Sequence, residues 1–295
     1  MGSSVVRVLN KAEKDYEVIA STRNDTDLFN LEQTKELIKK TEPEILIIAA
    51  ARVGGIVANN TKRTEFIIEN LKINMNLLEA CIPYPNIKII NLGSSCIYPL
   101  DAKDPITEDS LMTGKLEPTN SPYAMAKIAG IEIGRSLNLQ FGHKVINLMP
   151  TNLYGPNDFY SETDSHVIPG LIFRMHEYKN KKIEDFYIWG TGNPLREFLY
   201  VDDLSLAIKF IIENEVDIDL LNIGSGIEIT IKNLAEKIKA VVGYEGNLKF
   251  DKSKPDGNPR KLLNSTLIKE LGWASETKLD VGLKLSYDWF LKNKA

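Results

Sequence analysis

The sequence predicts an α/β fold: a doubly wound parallel sheet with its first strand missing, followed by a smaller C-terminal α/β region. Three observations predict it. Short apolar runs alternate with longer amphipathic stretches through the first half of the chain, the pattern of repeated strand–helix–strand units. Those runs are nearly continuous in apolar residues, as parallel strands covered on both faces should be. After about residue 150 the rhythm changes, and the loops lengthen and fill with Pro, Gly and Asn. The expected division is 1–155 for a dinucleotide-binding region and 156–295 for a substrate-binding region, with some later segments returning to the first.

The elements follow in order. Residues 3–11 read as a helix with no strand before them, and Gly2 stands where the last glycine of a phosphate-binding turn would stand. YEVIA at 16–20 reads as a strand. The residues after it, AST and Arg23, place a cation where an adenosine 2′-phosphate would sit, favouring NADP over NAD; a solvated surface arginine is the equally weighted alternative. A helix is expected over 31–41, then a strand at 45–49 (ILIIA). A second helix over 64–82 carries Ile67, Leu71, Met75 and Leu78 at three- and four-residue steps, read as one buried stripe. Strands at 87–92 (IKIINL) and 144–148 (KVINL) flank a helix that begins SPYAMAK. Four more helices are expected over 167–178, 203–213, 231–242 and 281–292. The whole is Rossmann-like.

Composition narrows the function. The chain has 295 residues, 43% hydrophobic and 26% charged, as soluble globular proteins do. A net charge of -4 argues against a general nucleic-acid binder. No apolar run reaches the roughly 18 residues of a membrane span, and the N-terminus does not read as a signal peptide. Two cysteines, Cys81 and Cys96, are too few for a disulfide framework, so a reducing cytoplasm is expected. Cys81 reads as a packed core thiol. No metal is expected.

Tyr123 and Lys127 form Tyr-x-x-x-Lys at a helix start, and a spacing of four puts both on one face. A free tyrosine has a pKa of about 10, and a neighbouring ammonium is expected to lower it. With 11 tyrosines in a lysine-rich chain, that spacing alone is weak. Ser94 supplies context. It follows the strand at 87–92, at the sheet edge where such folds bind ligands, and its hydroxyl is placed to hold a substrate carbonyl. Strand-end serine followed by Tyr-x-x-x-Lys is the signature of a carbonyl reductase.

Longer blocks carry a resemblance. AAARVGGIVANN, LGSSCIYP, LEPTNSPYAMAKIAG, MPTNLYGPND, SHVIPGLI, REFLYVDDL and SKPDGNPRKLL resemble those of the GDP-fucose synthases, extended short-chain dehydrogenase/reductases, in family order and over nearly the whole chain. The resemblance implies an NADPH-dependent enzyme that epimerises C3 and C5 of GDP-4-keto-6-deoxy-D-mannose and reduces its C4 ketone, giving GDP-L-fucose. It implies that Cys96 and His166 exchange the protons. An ordinary thiol (pKa about 8.5) and imidazole (about 6.5) both do so near neutrality. Without the resemblance, Cys96 reads as a small buried hydrophobe and His166 as a cap or core residue. His143 and His176 read as structural.

By the same resemblance, the cofactor contacts are Leu92, Gly93, Ser94, Ser95, Lys127, Pro150, Thr151, Asn152, Leu153 and His166, beside Gly2 and Arg23. The substrate contacts correspond to Arg174, Trp189, Arg196 and Asp256, with Lys261 added. Arginine forks suit a diphosphate. Trp189 suits a sugar or base, with a core tryptophan equally weighted. The KPDGNPRK loop reads either as a flap over the nucleotide sugar or as a mobile surface loop. A homodimer is implied, through the helices over 64–82 and 122–139.

The sequence departs from the family at its start, where the first strand and the first two glycines of the diphosphate loop are absent. Three readings compete: a start lying upstream of Met1, a truncation that binds cofactor weakly, and a non-catalytic sugar-nucleotide-binding protein. The intact downstream positions favour the first. Among enzymes, a related epimerase or a reductase making another deoxyhexose, such as GDP-colitose, is the rival.

Overall fold

The computed structural model describes residues 1–12, 16–162, 164–254 and 256–295, with the side chains at 56 and 57 also set aside. Pro255 of the expected flap lies outside them. The chain opens with α1 (Gly2–Leu9), continues through an irregular stretch, and then forms α2 (Leu31–Thr41). Asn30 caps α2, its side chain accepting from the Gln33 amide at 3.1 Å. There follow β1 (Ile45–Ile48), α3 (Ile56–Thr61), α4 (Arg63–Cys81), β2 (Lys88–Leu92), α5 (Ser121–Phe141) and β3 (Val145–Pro150). Pro122 sits in the first turn of α5, where its missing N–H costs nothing, and Gly142 closes the helix at φ 77°.

The second half contributes β4 (Asn152–Tyr154), α6 (Val167–Asn180), β5 (Asp185–Trp189), β6 (Leu195–Tyr200), α7 (Val201–Glu213) and β7 (Leu220–Ile223). After these come β8 (Glu228–Thr230), α8 (Ile231–Val242), β9 (Asn247–Asp251), α9 (Thr266–Glu270) and α10 (Leu279–Asn293). The main sheet runs β1-β2-β3-β7, all parallel. Two small sheets, β4-β6-β8 and β5-β9, belong to the second half, while β7 returns to the first.

Neighbouring strand residues face opposite layers, which explains the unbroken apolar runs. Ile89 and Val145 pack with Ile48, Leu77 and Leu137 on one side. Ile90, Ile146 and Leu148 pack with Val5, Leu204 and Ile208 on the other. A separate core of Tyr154, Ile172, Phe186, Ile238 and Phe290 holds the second half together.

Two expectations are corrected. Residues 16–20 form no strand. A strand persists only where a partner receives its N–H and C=O groups. Among the described residues none lies between this segment and β1, which is therefore an edge of the sheet. Tyr16 and Val18 still pack against the core beside α1. On α4, the expected stripe lies off the buried face: Ile67 and Leu71 are half-buried, Met75 is exposed, and only Leu78 is buried. The buried face is Phe66, Asn70, Ile73, Asn74, Leu77 and Cys81. Two asparagines on that face hide its periodicity. Asn70 is buried because it serves the loop before α3, accepting from the Arg52 amide at 2.9 Å and donating to the Arg52 carbonyl at 3.0 Å.

Candidate active site

A cleft of about 610 Å³ opens at the C-terminal ends of β2 and β3, against α6 and the small sheets. Its walls include Gly93, Ser94, Ser95 and Cys96 after β2, Tyr123 at the start of α5, and residues 150–153 where β3 passes into β4. His166 stands at the N-cap of α6 without making a side-chain capping bond, so its ring is left to the cleft. Arg174, Trp189, Arg196 and Lys261 line the same space. The structure thus brings the sequence-predicted phenol, hydroxyl, thiol and imidazole together with three cations and a tryptophan.

Each is positioned by local structure. Ser94 caps a short 3-10 turn over Ser95–Ile97, its hydroxyl accepting from the Cys96 amide at 3.3 Å. That turn carries the partly exposed Cys96 thiol to the cleft wall. Cys81, by contrast, is fully buried, and burial pushes its thiol up to about 12, as expected of a core cysteine.

Lys127 is 2% exposed and lies below the cleft. Its ammonium donates to the Leu92 carbonyl at 2.7 Å and stands 5.9 Å from the centre of the Tyr123 ring. Burial holds its pKa down at about 8. The Tyr123 hydroxyl moves the other way: burial first, then the neighbouring Cys96, raises its pKa above the ordinary value. This corrects the expectation that Lys127 lowers it. A protonated phenol suits a proton donor, which is what carbonyl reduction requires.

On the opposite wall, Arg174 stacks over Phe186 at 4.6 Å, lies 6.0 Å from the Trp189 ring, and donates to the Tyr187 carbonyl at 2.5 Å. Trp189 is 45% exposed, which excludes the core reading. Arg196 donates to the Leu195 carbonyl at 2.8 Å. Burial lowers the pKa of both arginines.

Some expected residues lie elsewhere. Asp256 does not line the cleft; its carboxylate accepts from the Thr191 amide at 2.6 Å and the Thr191 hydroxyl at 2.8 Å, pinning its loop to the β5–β6 turn. Arg23 is exposed and away from the cleft. Gly2 opens α1 beside Ala49, outside the cleft lining. Leu92 is buried beneath it and enters only through its carbonyl. His143 is fully buried, and His176 is held by the Tyr287 hydroxyl at 3.0 Å and Asn180 at 2.9 Å, so both remain structural.

Asn120 was not singled out from the sequence. Its amide donates to the Cys96 sulfur at 3.5 Å. Its buried carbonyl oxygen has no partner among the described residues. Glu117 holds this asparagine in place, accepting from the Thr119 and Asn120 amides, each at 3.1 Å. The signal was its place in LEPTNSPYAMAK, three residues before Tyr123.

The chemistry of these donors and acceptors fits the nicotinamide–ribose end of a dinucleotide. Lys127 commits one of its three donors to Leu92, and the Asn120 oxygen is unfilled, so a polyhydroxylated group would satisfy both.

Comparison with known proteins gives the family. Residues 1–224 match the model of the NAD dependent epimerase/dehydratase family. The chain is 46% identical to GDP-L-fucose synthase 1 of Arabidopsis thaliana, over 99% of this chain and 90% of that one. It is 43% identical to the GDP-L-fucose synthase of Escherichia coli, over 100% and 94%. The chain belongs to the GDP-L-fucose synthases of this family. A solved GDP-mannoheptose C4 reductase from Campylobacter jejuni, with NADP bound, is 31% identical with a TM-score of 0.88, covering 98% of this chain and 94% of that one. No helix among the described residues is long and apolar enough to cross a membrane.

Proposed function

We propose that this GDP-L-fucose synthase-family chain converts GDP-4-keto-6-deoxy-D-mannose to GDP-L-fucose by 3,5-epimerisation and NADPH-dependent 4-reduction. The observation that carries the reading is the single cleft in which Ser94, Cys96, Tyr123 and His166 face Arg174, Trp189, Arg196 and Lys261.

The chemistry of the chain's own residues is coherent. A ketone at C4 acidifies the protons on C3 and C5, so one acid/base pair serves both inversions. Cys96 and His166 remove a proton from one face of the ring and return one to the other. Asn120 steadies the sulfur between these events. Ser94 orients the C4 oxygen, and the protonated Tyr123 donates to it as the ketone becomes an alcohol. Bound NADPH supplies the hydride. Lys127, with Gly93 and Ser95 and the Pro150, Thr151, Asn152 and Leu153 segment, holds the nicotinamide–ribose end; Gly2 and Arg23 are left to the adenosine end. Arg174, Arg196 and Lys261 supply cations for the diphosphate, and Trp189 an aromatic face for base or sugar. Asp256 contributes through the loop it pins.

Residues 1–155 then serve mainly the cofactor and 156–295 mainly the nucleotide sugar. Two free cysteines suit a reducing cytoplasm. A homodimer through α4 and α5 accounts for their exposed apolar residues: Ile68 and Met75 lie on one stripe of α4, Met125 and Leu139 on one stripe of α5.

The test is incubation of the purified protein with the 4-keto substrate and NADPH. Substrate-dependent NADPH consumption with GDP-L-fucose as product is expected. No consumption overturns the reading, and consumption only with a 3,6-dideoxy substrate assigns the colitose branch instead.

A further inference from the structure

Glu197 lies on β6 next to Arg196, with no exposed surface. Its carboxylate is held mainly by backbone N–H groups, with the Thr151 side chain as a further donor. One oxygen accepts from the Gly226 amide at 2.7 Å, the other from the Leu263 amide at 3.1 Å. Desolvation raises its pKa, and its neighbouring donors lower it in turn. A buried carboxylate of this kind is expensive to maintain unless donors surround it. Its main chain does a different job. The Glu197 carbonyl accepts from Asn152 at 2.8 Å and from the Thr151 hydroxyl at 3.3 Å, on the side of the cleft assigned to the cofactor.

One of these side-chain bonds falls on the turn between β7 and β8, at Gly226, and the other on the segment that follows the KPDGNPRK loop, at Leu263. Leu263 stands two residues after Lys261, and the same short stretch is tied to β6 and β8 twice more. The Leu195 amide donates to the Pro259 carbonyl at 2.9 Å, and Arg260 forms a two-pronged pair with Glu228 at 2.8 and 2.6 Å. With backbone and arginine so engaged, Asn258 and Lys261 are the residues of this stretch that reach the cleft together with Gly257.

We infer that Glu197 is a positioning residue that fixes the 257–263 segment so that Lys261 meets the anionic end of the nucleotide sugar. The inference rests on the proposed function for the identity of that ligand. A charged acceptor is needed at both oxygens. Glu197→Gln keeps size and shape but turns an NH2 group toward one of the two amides, releasing either the turn at Gly226 or the backbone at Leu263.

Calorimetry with GDP as the probe tests it, alongside thermal melting of the same samples. Glu197→Gln is expected to weaken GDP binding about tenfold while the protein still melts cooperatively. Lys261→Ala is expected to weaken GDP binding comparably, and the double variant to lose little beyond either single one, since both remove the same contact. Unchanged GDP affinity in Glu197→Gln overturns the inference. So do fully additive losses, loss of the cooperative melt, or a wild type that does not bind GDP. Failure of the wild type to consume NADPH counts instead against the proposed function and leaves the GDP comparison standing.

Discussion

The Lys127 ammonium donates to the Leu92 carbonyl at 2.7 Å, linking the reductase helix to the end of the strand that carries Ser94. Burial of this lysine depresses its pKa from 10.5 to about 8, a gap worth on the order of 3 kcal/mol against the charged folded state. The sign follows from linkage. Between pH 8 and 10.5 the unfolded chain binds more protons at this site than the folded one, so its contribution to stability rises with pH across that window. Lys127→Met is therefore expected to melt higher than wild type at neutral pH, with the advantage shrinking as pH rises from 8 to 10.5. Reductase activity should fall by at least about a hundredfold. Melting curves across that range check it; a neutral variant that melts lower has lost more in the Leu92 bond than it gained in desolvation.

Proton exchange and reduction should separate by residue. Cys96→Ala and His166→Asn are expected to lose epimerisation by roughly 10²–10⁴-fold, read as deuterium uptake at C3 and C5 from heavy water. Tyr123→Phe should keep that uptake and lose NADPH consumption by a similar factor. Uptake that survives in Cys96→Ala and His166→Asn but is lost in Tyr123→Phe would mean that the phenol, not the thiol–imidazole pair, carries the exchange.

Much of this was legible in the sequence because the signals were local. Ser94 follows a strand whose apolar run marks it, and it gives the helical spacing of Tyr123 and Lys127 its meaning, whereas Cys96 and His166 stood out only through the family resemblance. What was not legible depended on partners distant in sequence. Residues 16–20 have strand composition but no ladder to join, and composition cannot report a neighbour. The α4 face was misread because Asn70 and Asn74 are buried by hydrogen bonding, not by apolar character. The effect of Lys127 on Tyr123 was expected from charge alone, whereas burial decides the direction at both groups. Asp256 reaches Thr191 across 65 residues, a tie that no local pattern announces.

The exposed apolar stripes of α4 and α5 give a direct test of assembly. Met75→Glu combined with Met125→Glu places a charge on each helix without disturbing a buried residue. Sedimentation is expected to show a dimer for wild type and a monomer for the double variant, with each monomer still folded by circular dichroism. A wild-type monomer removes the proposal.

The turn at Gly190 holds the loop that carries Asp256. Its φ of 80° lies in the left-handed region, and a Cβ built there would stand 2.2 Å from an Asp256 carboxylate oxygen. Gly190→Ala must therefore strain the backbone, by about 1–2 kcal/mol, and displace Asp256 as well. The displaced carboxylate loses the Thr191 amide and hydroxyl together, releasing the loop that ends in Lys261. A rise in KM for the nucleotide sugar, with kcat changed little, is the expected result. Asp256→Ala removes both the pin and the collision, so adding Gly190→Ala to it should cost only the backbone strain. In a double-mutant cycle the combined loss should fall short of the sum of the single losses by ~1 kcal/mol. Strict additivity would mean that the turn and the carboxylate act on the loop independently, and that the hydrogen bonds to Thr191 do not hold it down.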